Sequence, residues 1–131
     1  MLDEELLRTR VNSKALDNEL MIYGSCIRTE YSGILGDYAG IPKLHICLEE
    51  HHINKVAWKI HSIARNKGLK KIIVLTVDGS PHCIQLHYAA DDLGKIFPEL
   101  EVLHEVIVNG KTEGIKKETV RRSRHLSELQ S

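Results

Sequence analysis

Two hydrophobic periods take turns along the middle of the chain. In PKLHICLE, Leu44, Ile46 and Leu48 alternate with His45, Cys47 and Glu49, the two-residue period of a strand. In INKVAWKIHSIARNKG, the residues Ile53, Val56, Ala57, Ile60, Ile63 and Ala64 recur at helical spacing. Asn66, Lys67 and Gly68 then supply a basic last turn and a glycine stop. KKIIVLTVDG is a continuous apolar run rich in β-branched residues and closed by Asp-Gly, the pattern of a strand buried on both faces. SPHCIQLHYAADDLGKIF predicts a second helix, with Ser80 as N-cap, Pro81 at the first helical position and Pro98 as the stop. ELEVLHEVIV predicts a third strand, and Asn109-Gly110 a turn.

Strand, helix, strand, helix, strand is an order that favours parallel pairing with right-handed crossovers. The predicted fold class is α/β: a Rossmann-like βαβαβ core with a mostly parallel sheet, in two or three layers, over residues 43–111. Residues 1–42 are read as a helical or irregular cap segment. Within it Leu2 to Leu7 suits a short helix. Ser13 suits the start of a second one running through Ala15, Leu16, Leu20 and Tyr23 to Gly24. LMIYGSCIR suits equally a strand at the sheet edge. GILGDYAGIP reads as a loop, and its glycines lack the strand-then-helix setting of a dinucleotide fingerprint. Residues 112–131 are read as a basic C-terminal helix and tail. Lys116, Lys117, Arg121, Arg122 and Arg124 are assigned to a solvated face. With no aromatic platform among them, nucleic acid is not an expected partner.

Composition narrows the setting. A chain of 131 residues fits one domain with a real core. With aromatics at 5%, that core must be built mainly from Ile, Leu, Val and Ala. Net charge is zero with His neutral, so overall charge argues for no anionic partner, while eight histidines make the charge sensitive to pH near neutrality. The first ten residues lack an apolar signal region, and no run approaches the roughly 18 apolar residues of a membrane span. The expectation is a cytoplasmic protein without a membrane partner, with Cys26, Cys47 and Cys83 as reduced thiols.

Parallel strands send their following loops to one edge, where ligands of open α/β sheets bind. That edge would gather Glu49-Glu50-His51-His52, Asp78-Gly79-Ser80-Pro81-His82-Cys83 and Asn109-Gly110-Lys111. On the second helix Cys83, His87 and Asp91 follow one another at i, i+4 beside the apolar face. A thiol in a first helical turn is favoured as thiolate, His87 could take its proton, and Asp91 could orient the imidazole. Two chemical readings result. Cys83, His87, His51 and His52 are candidate ligands for a transition metal such as zinc, iron or nickel. Alternatively Cys83 is a nucleophile acting on a small polar molecule, with His87, His82 and Asp78 completing a catalytic group. A non-catalytic reading uses the same edge: Gly79 and Ser80 open a helix that can receive an anion such as a phosphate or nucleotide, with Lys111 adding charge, or a protein partner.

Cys47 reads as a core residue, and His45, His61 and His104 as structural. Three ligating thiols would point to an iron–sulfur or other thiolate-rich site, with a spacing unlike a ferredoxin's. Trp58 falls opposite the apolar stripe of its helix, which predicts either a covering N-terminal segment or a homodimer interface.

Overall fold

The structure, a computed structural model, describes residues 2–130. Six strands form one sheet: β1 (Asp3–Glu5), β2 (Glu19–Gly24), β3 (Lys43–Ile46), β4 (Lys71–Val77), β5 (Glu101–Val108) and β6 (Lys111–Ile115). Their spatial order is β1-β3-β2-β4-β5-β6, parallel throughout except for the antiparallel β5–β6 pair. The mostly parallel α/β fold expected from the alternating periods is the one found.

Two apolar clusters make three layers. On one face Leu20, Ile22, Leu44, Ile72 and Val74 pack under α3 (Ile53–Lys67) and α4 (Ile84–Ile96), which contribute Val56, Ile60, Ile63, Leu86, Ala90 and Leu93. On the other face Met21, Tyr23, Ile73, Leu75 and Ile107 meet Ile27 of α1 (Ile27–Glu30) and Ile34 and Leu35 of α2 (Ser32–Leu35). Strands β2 and β4 are therefore covered on both sides, which is why Leu20–Tyr23 and Ile72–Leu75 are unbroken apolar runs. His52 caps α3 by accepting the Asn54 N–H, and Gly68, at φ 59° and ψ 47°, ends it in the left-handed conformation expected of that glycine.

Several local readings are corrected. LMIYG is a central strand, not an edge, because a run apolar on both faces needs cover on both faces. Residues 3–5 pair with β3 as an edge strand and Leu6–Arg8 forms a single 3₁₀ turn in place of a helix. No helix starts at Ser13; turns lead from there into β2. Within GILGDYAGIP, part of α2 and a 3₁₀ turn at Gly36–Tyr38 replace the open loop. The C-terminal segment opens with a strand: Asn109 and Gly110, at φ 50° and 78°, make a two-residue turn that folds β6 back on β5. The helices α5 (Lys117–Arg122) and α6 (Leu126–Leu129) follow. Arg124 sits 4.3 Å over the Tyr88 ring and Tyr88 shares a hydrogen bond with Ser123, so this segment is docked on α4.

Trp58 is 70% exposed and stacks on His61, so the N-terminal segment does not cover it. Among the described residues no helix is long and apolar enough to cross a membrane. The core's dependence on β2 is measurable. Ile22→Ala, at a fully buried central position, is expected to cost about 3–4 kcal/mol in urea unfolding, the usual penalty of a large-to-small core change.

Candidate functional site

The carboxyl ends of β1 to β5 share one edge because those strands are parallel. From β2 the chain goes to β3 on one side, then crosses to β4 on the other. The strand order therefore reverses between β2 and β4, the place where crevices open in this architecture. Gly24-Ser25-Cys26 leaves β2 there, Asp78–Cys83 leaves β4, and Cys47–His52 leaves β3. The last two loops approach across the end of β2, with His82 Nε2 3.9 Å from Glu49 Oε1.

The β4–α4 loop is held by its backbone. Gly79 sits at φ 88°, a conformation that side-chain-bearing residues rarely adopt. Ser80 Oγ accepts the Cys83 N–H at 3.4 Å, as an N-cap would, but regular helix begins at Ile84 and not at Pro81. Below this loop lies a cavity of about 390 Å³ between the ends of β4 and β5, the start of α4 and helix α5. Asp78, Gly79 and Ser80 stand at one side, His87 and Thr76 on another, and Val106 and Val120 help close it. Its walls are mainly apolar, and no Lys or Arg is among the lining residues.

A buried polar chain runs from this cavity into the protein. Residues of one strand alternate in face, so Thr76 lies on the same side of the sheet as Ile72 and Val74, toward α4. His104 pairs with Val74 in register and lies on that side as well. His87, from α4, bridges the two: Thr76 Oγ1 is 2.8 Å from His87 Nε2, and His87 Nδ1 is 3.0 Å from His104 Nδ1. Two facing Nδ1 atoms form a hydrogen bond only if one carries a proton and the other does not. Burial pushes His87 down to about 4, with the neighbouring His104 adding to the effect, and burial also lowers His104. Both rings are neutral at pH 7. Among the described residues His104 Nε2 is buried without a hydrogen-bond partner.

The expected cluster of Cys83, His87, His51 and His52 is not assembled. His87 has both ring nitrogens engaged within the protein. Cys83 Sγ points to the other side of its helix start, 3.5 Å from where a Cβ on Gly24 would be. His51 lies 3.5 Å from Glu5, and His52 is the α3 cap. Among the described residues no group of three or more His, Cys, Asp or Glu is placed to hold a metal ion. Asp91 does not orient His87 either. It accepts three hydrogen bonds from Arg121 of α5 at 3.1–3.2 Å, because a carboxylate only 5% exposed needs a charged partner. Asp78, Gly79 and Ser80 do line the cavity, whereas His82 turns to Glu49 and Lys111 lies on the outer rim of the hairpin with Asn109 and Thr112. Cys47 is half-buried, not core, since it falls one residue beyond the strand. Thr76, His104 and the α5 residues were not among the expected site residues. The signal that marks the first two is a polar side chain in an apolar strand.

The neutral histidines tie stability to pH. An unfolded His87 gains its proton near 6.5, while the folded one stays neutral to about 4. The unfolded state therefore binds more protons in that window, and stability falls as pH drops from 6.5 toward 4. The loss from His87 should be on the order of 3 kcal/mol. Urea titrations of wild type and His87→Gln across pH 4–8 test this: the variant, less stable at pH 8, should show a visibly flatter decline.

Comparison with known proteins agrees with this architecture. No curated protein and no solved structure matches the chain. A family described as a Rossmann-like domain matches residues 15–130, the span from just before β2 to the end of the described chain. The protein belongs to that Rossmann-like domain family.

Proposed function

We propose that this domain binds a small, uncharged organic molecule in the cavity at the carboxyl ends of β4 and β5. The cavity itself carries the reading: about 390 Å³, within the size range of small-molecule sites, mainly apolar, with hydrogen-bonding groups at Thr76, Asp78 and Ser80. The lining argues against an anion. Asp78 brings a carboxylate, His87 is neutral at pH 7, and Lys111 is not among the lining residues. A phosphate or nucleotide would enter without a counter-charge.

The catalytic alternative joins Cys83 to His87, and the geometry weighs against it. His87 is bonded to Thr76 and His104, and protonating a base near 4 at pH 7 is unfavourable by about 4 kcal/mol. What supports His87 in the binding reading is its fixed ring, which holds the Thr76 hydroxyl at the cavity wall. Gly79 supports it in a different way, since its φ of 88° sets the loop that forms the cavity rim.

A neutral, environment-sensitive dye such as Nile red tests the reading. Saturable binding near one dye per chain is expected. Ser123→Trp, which fills the cavity from just beyond α5, should weaken it at least tenfold without a matching loss of melting temperature, while Lys111→Ala leaves it unchanged. Equal dye binding by wild type and the filled variant would overturn the proposal.

A further inference from the structure

Helix α3 carries a charge imbalance that its neighbours do not answer. Between Ile53 and Lys67 it holds Lys55, Lys59, Arg65 and Lys67 and no Asp or Glu, in a chain whose formal charge is zero. Among the described residues none of these four cations forms an ion pair. The carboxylates of α4 and of the turn after it have cations of their own: Asp91 has Arg121, Asp92 has Arg124 and Glu99 has Lys70. Trp58 stands in this setting 70% exposed, with Lys55 about one turn before it and Arg65 about two turns after. Its ring stacks on His61 at 5.7 Å, and His61 meets Phe97 edge-on at 5.6 Å. Phe97 packs against the core, so the row is anchored at its inner end, and Ile96 beside it is 55% exposed. The outer side of α3 and the end of α4 thus present a fixed aromatic row flanked by unpaired cations.

We propose that this face docks an acidic amphipathic segment of a partner protein, with Trp58 as the anchor and Lys55 and Arg65 as its charged flanks. The surface is separate from the β4–β5 cavity and does not depend on its ligand. A partner helix with apolar side chains at i, i+3, i+4 and i+7 would cover the indole and Ile96, and its carboxylates would meet the two cations. An indole already held by stacking loses little freedom when it is covered. Complementary charge would bring the two surfaces together quickly and set their orientation. A second copy of this chain is a poor occupant. A two-fold interface sets the same patch against itself, and the cations of α3 would face their own images with no carboxylate on either helix. Single-stranded nucleic acid is favoured by successive stacking rings along a charged groove, and here one indole is exposed beside apolar Ile96. A bilayer takes up the apolar face of a helix, and that face of α3 is committed to the core through Val56, Ile60 and Ile63.

Trp58 is the only tryptophan, so its own fluorescence reports the docking. The probe is a synthetic helical peptide without tryptophan, with leucines at i, i+3, i+4 and i+7 and glutamates at the remaining positions, titrated into the full chain. A saturable blue shift of the Trp58 emission is expected, weakening as salt is raised. The double variant Lys55→Glu, Arg65→Glu should bind at least tenfold more weakly with an unchanged melting temperature, while Lys111→Ala binds as wild type does. A comparison on wild type alone needs no variant to fold: the same peptide with lysine in place of glutamate should give no shift. Three further probes of wild type stand for the other occupants: oligothymidylate, phosphatidylglycerol vesicles, and sedimentation of the chain by itself. No shift with the acidic peptide, or equal shifts with both peptides, would sink the proposal. So would tighter binding to oligothymidylate or vesicles, or a dimer in which Trp58 is shielded from quenching.

Discussion

The layout of the sheet depends on where β2 pairs. It lies between β3 and β4, hydrogen-bonded in parallel to both, although β3 and β4 follow one another in the chain with a single helix between. Inserting that strand separates the loops after β3 and β4 by one strand's width and reverses the direction of winding. The pairing is stabilised by burial on both faces: Leu20 and Ile22 under α3 and α4, Met21 and Tyr23 under α1 and α2. Without β2 between them the loops after β3 and β4 would meet directly.

On the far side of β4 a different compromise holds. Thr76, His87 and His104 replace apolar packing with a polar layer between sheet and helix. Such a layer is costly if any member lacks a partner, and His104 Nε2 does lack one. The layer is stable at neutral pH because both rings shed their charge, not because charges are paired. Asp91 follows the opposite rule one turn along the same helix: its carboxylate is paired with Arg121, which reaches it from α5. The docking of α5 therefore both closes the cavity, through Val120, and neutralises a buried carboxylate.

The β3–α3–β4–α4–β5 succession was legible because each element has a clean period and a clear stop, as in Gly68 and Asn109-Gly110. The place of β2 was legible in principle, since Leu20–Tyr23 is as continuously apolar as Ile72–Leu75. The competing helical spacing of Ala15, Leu16 and Leu20 obscured it. Cys83 and His87 share an i, i+4 relation, yet spacing on a helix does not say what lies opposite. His87 meets strand residues that fix its ring, while Cys83, in the turn before regular helix, faces β2. The contribution of α5 was hidden for another reason. The strand β6 consumes the start of what reads as one basic segment, and only the hairpin brings the rest back over α4.

The two borders of the sheet bear on how this protein meets copies of itself. β1 spans three residues, and β6 is the short run KTEGI, mostly exposed and carrying both a lysine and a glutamate. Short, charged margins give an incoming strand little to zip against. Growth of the sheet from one molecule into the next is thereby discouraged at both rims. On the helical flank, by contrast, the indole of Trp58 stands open to solvent.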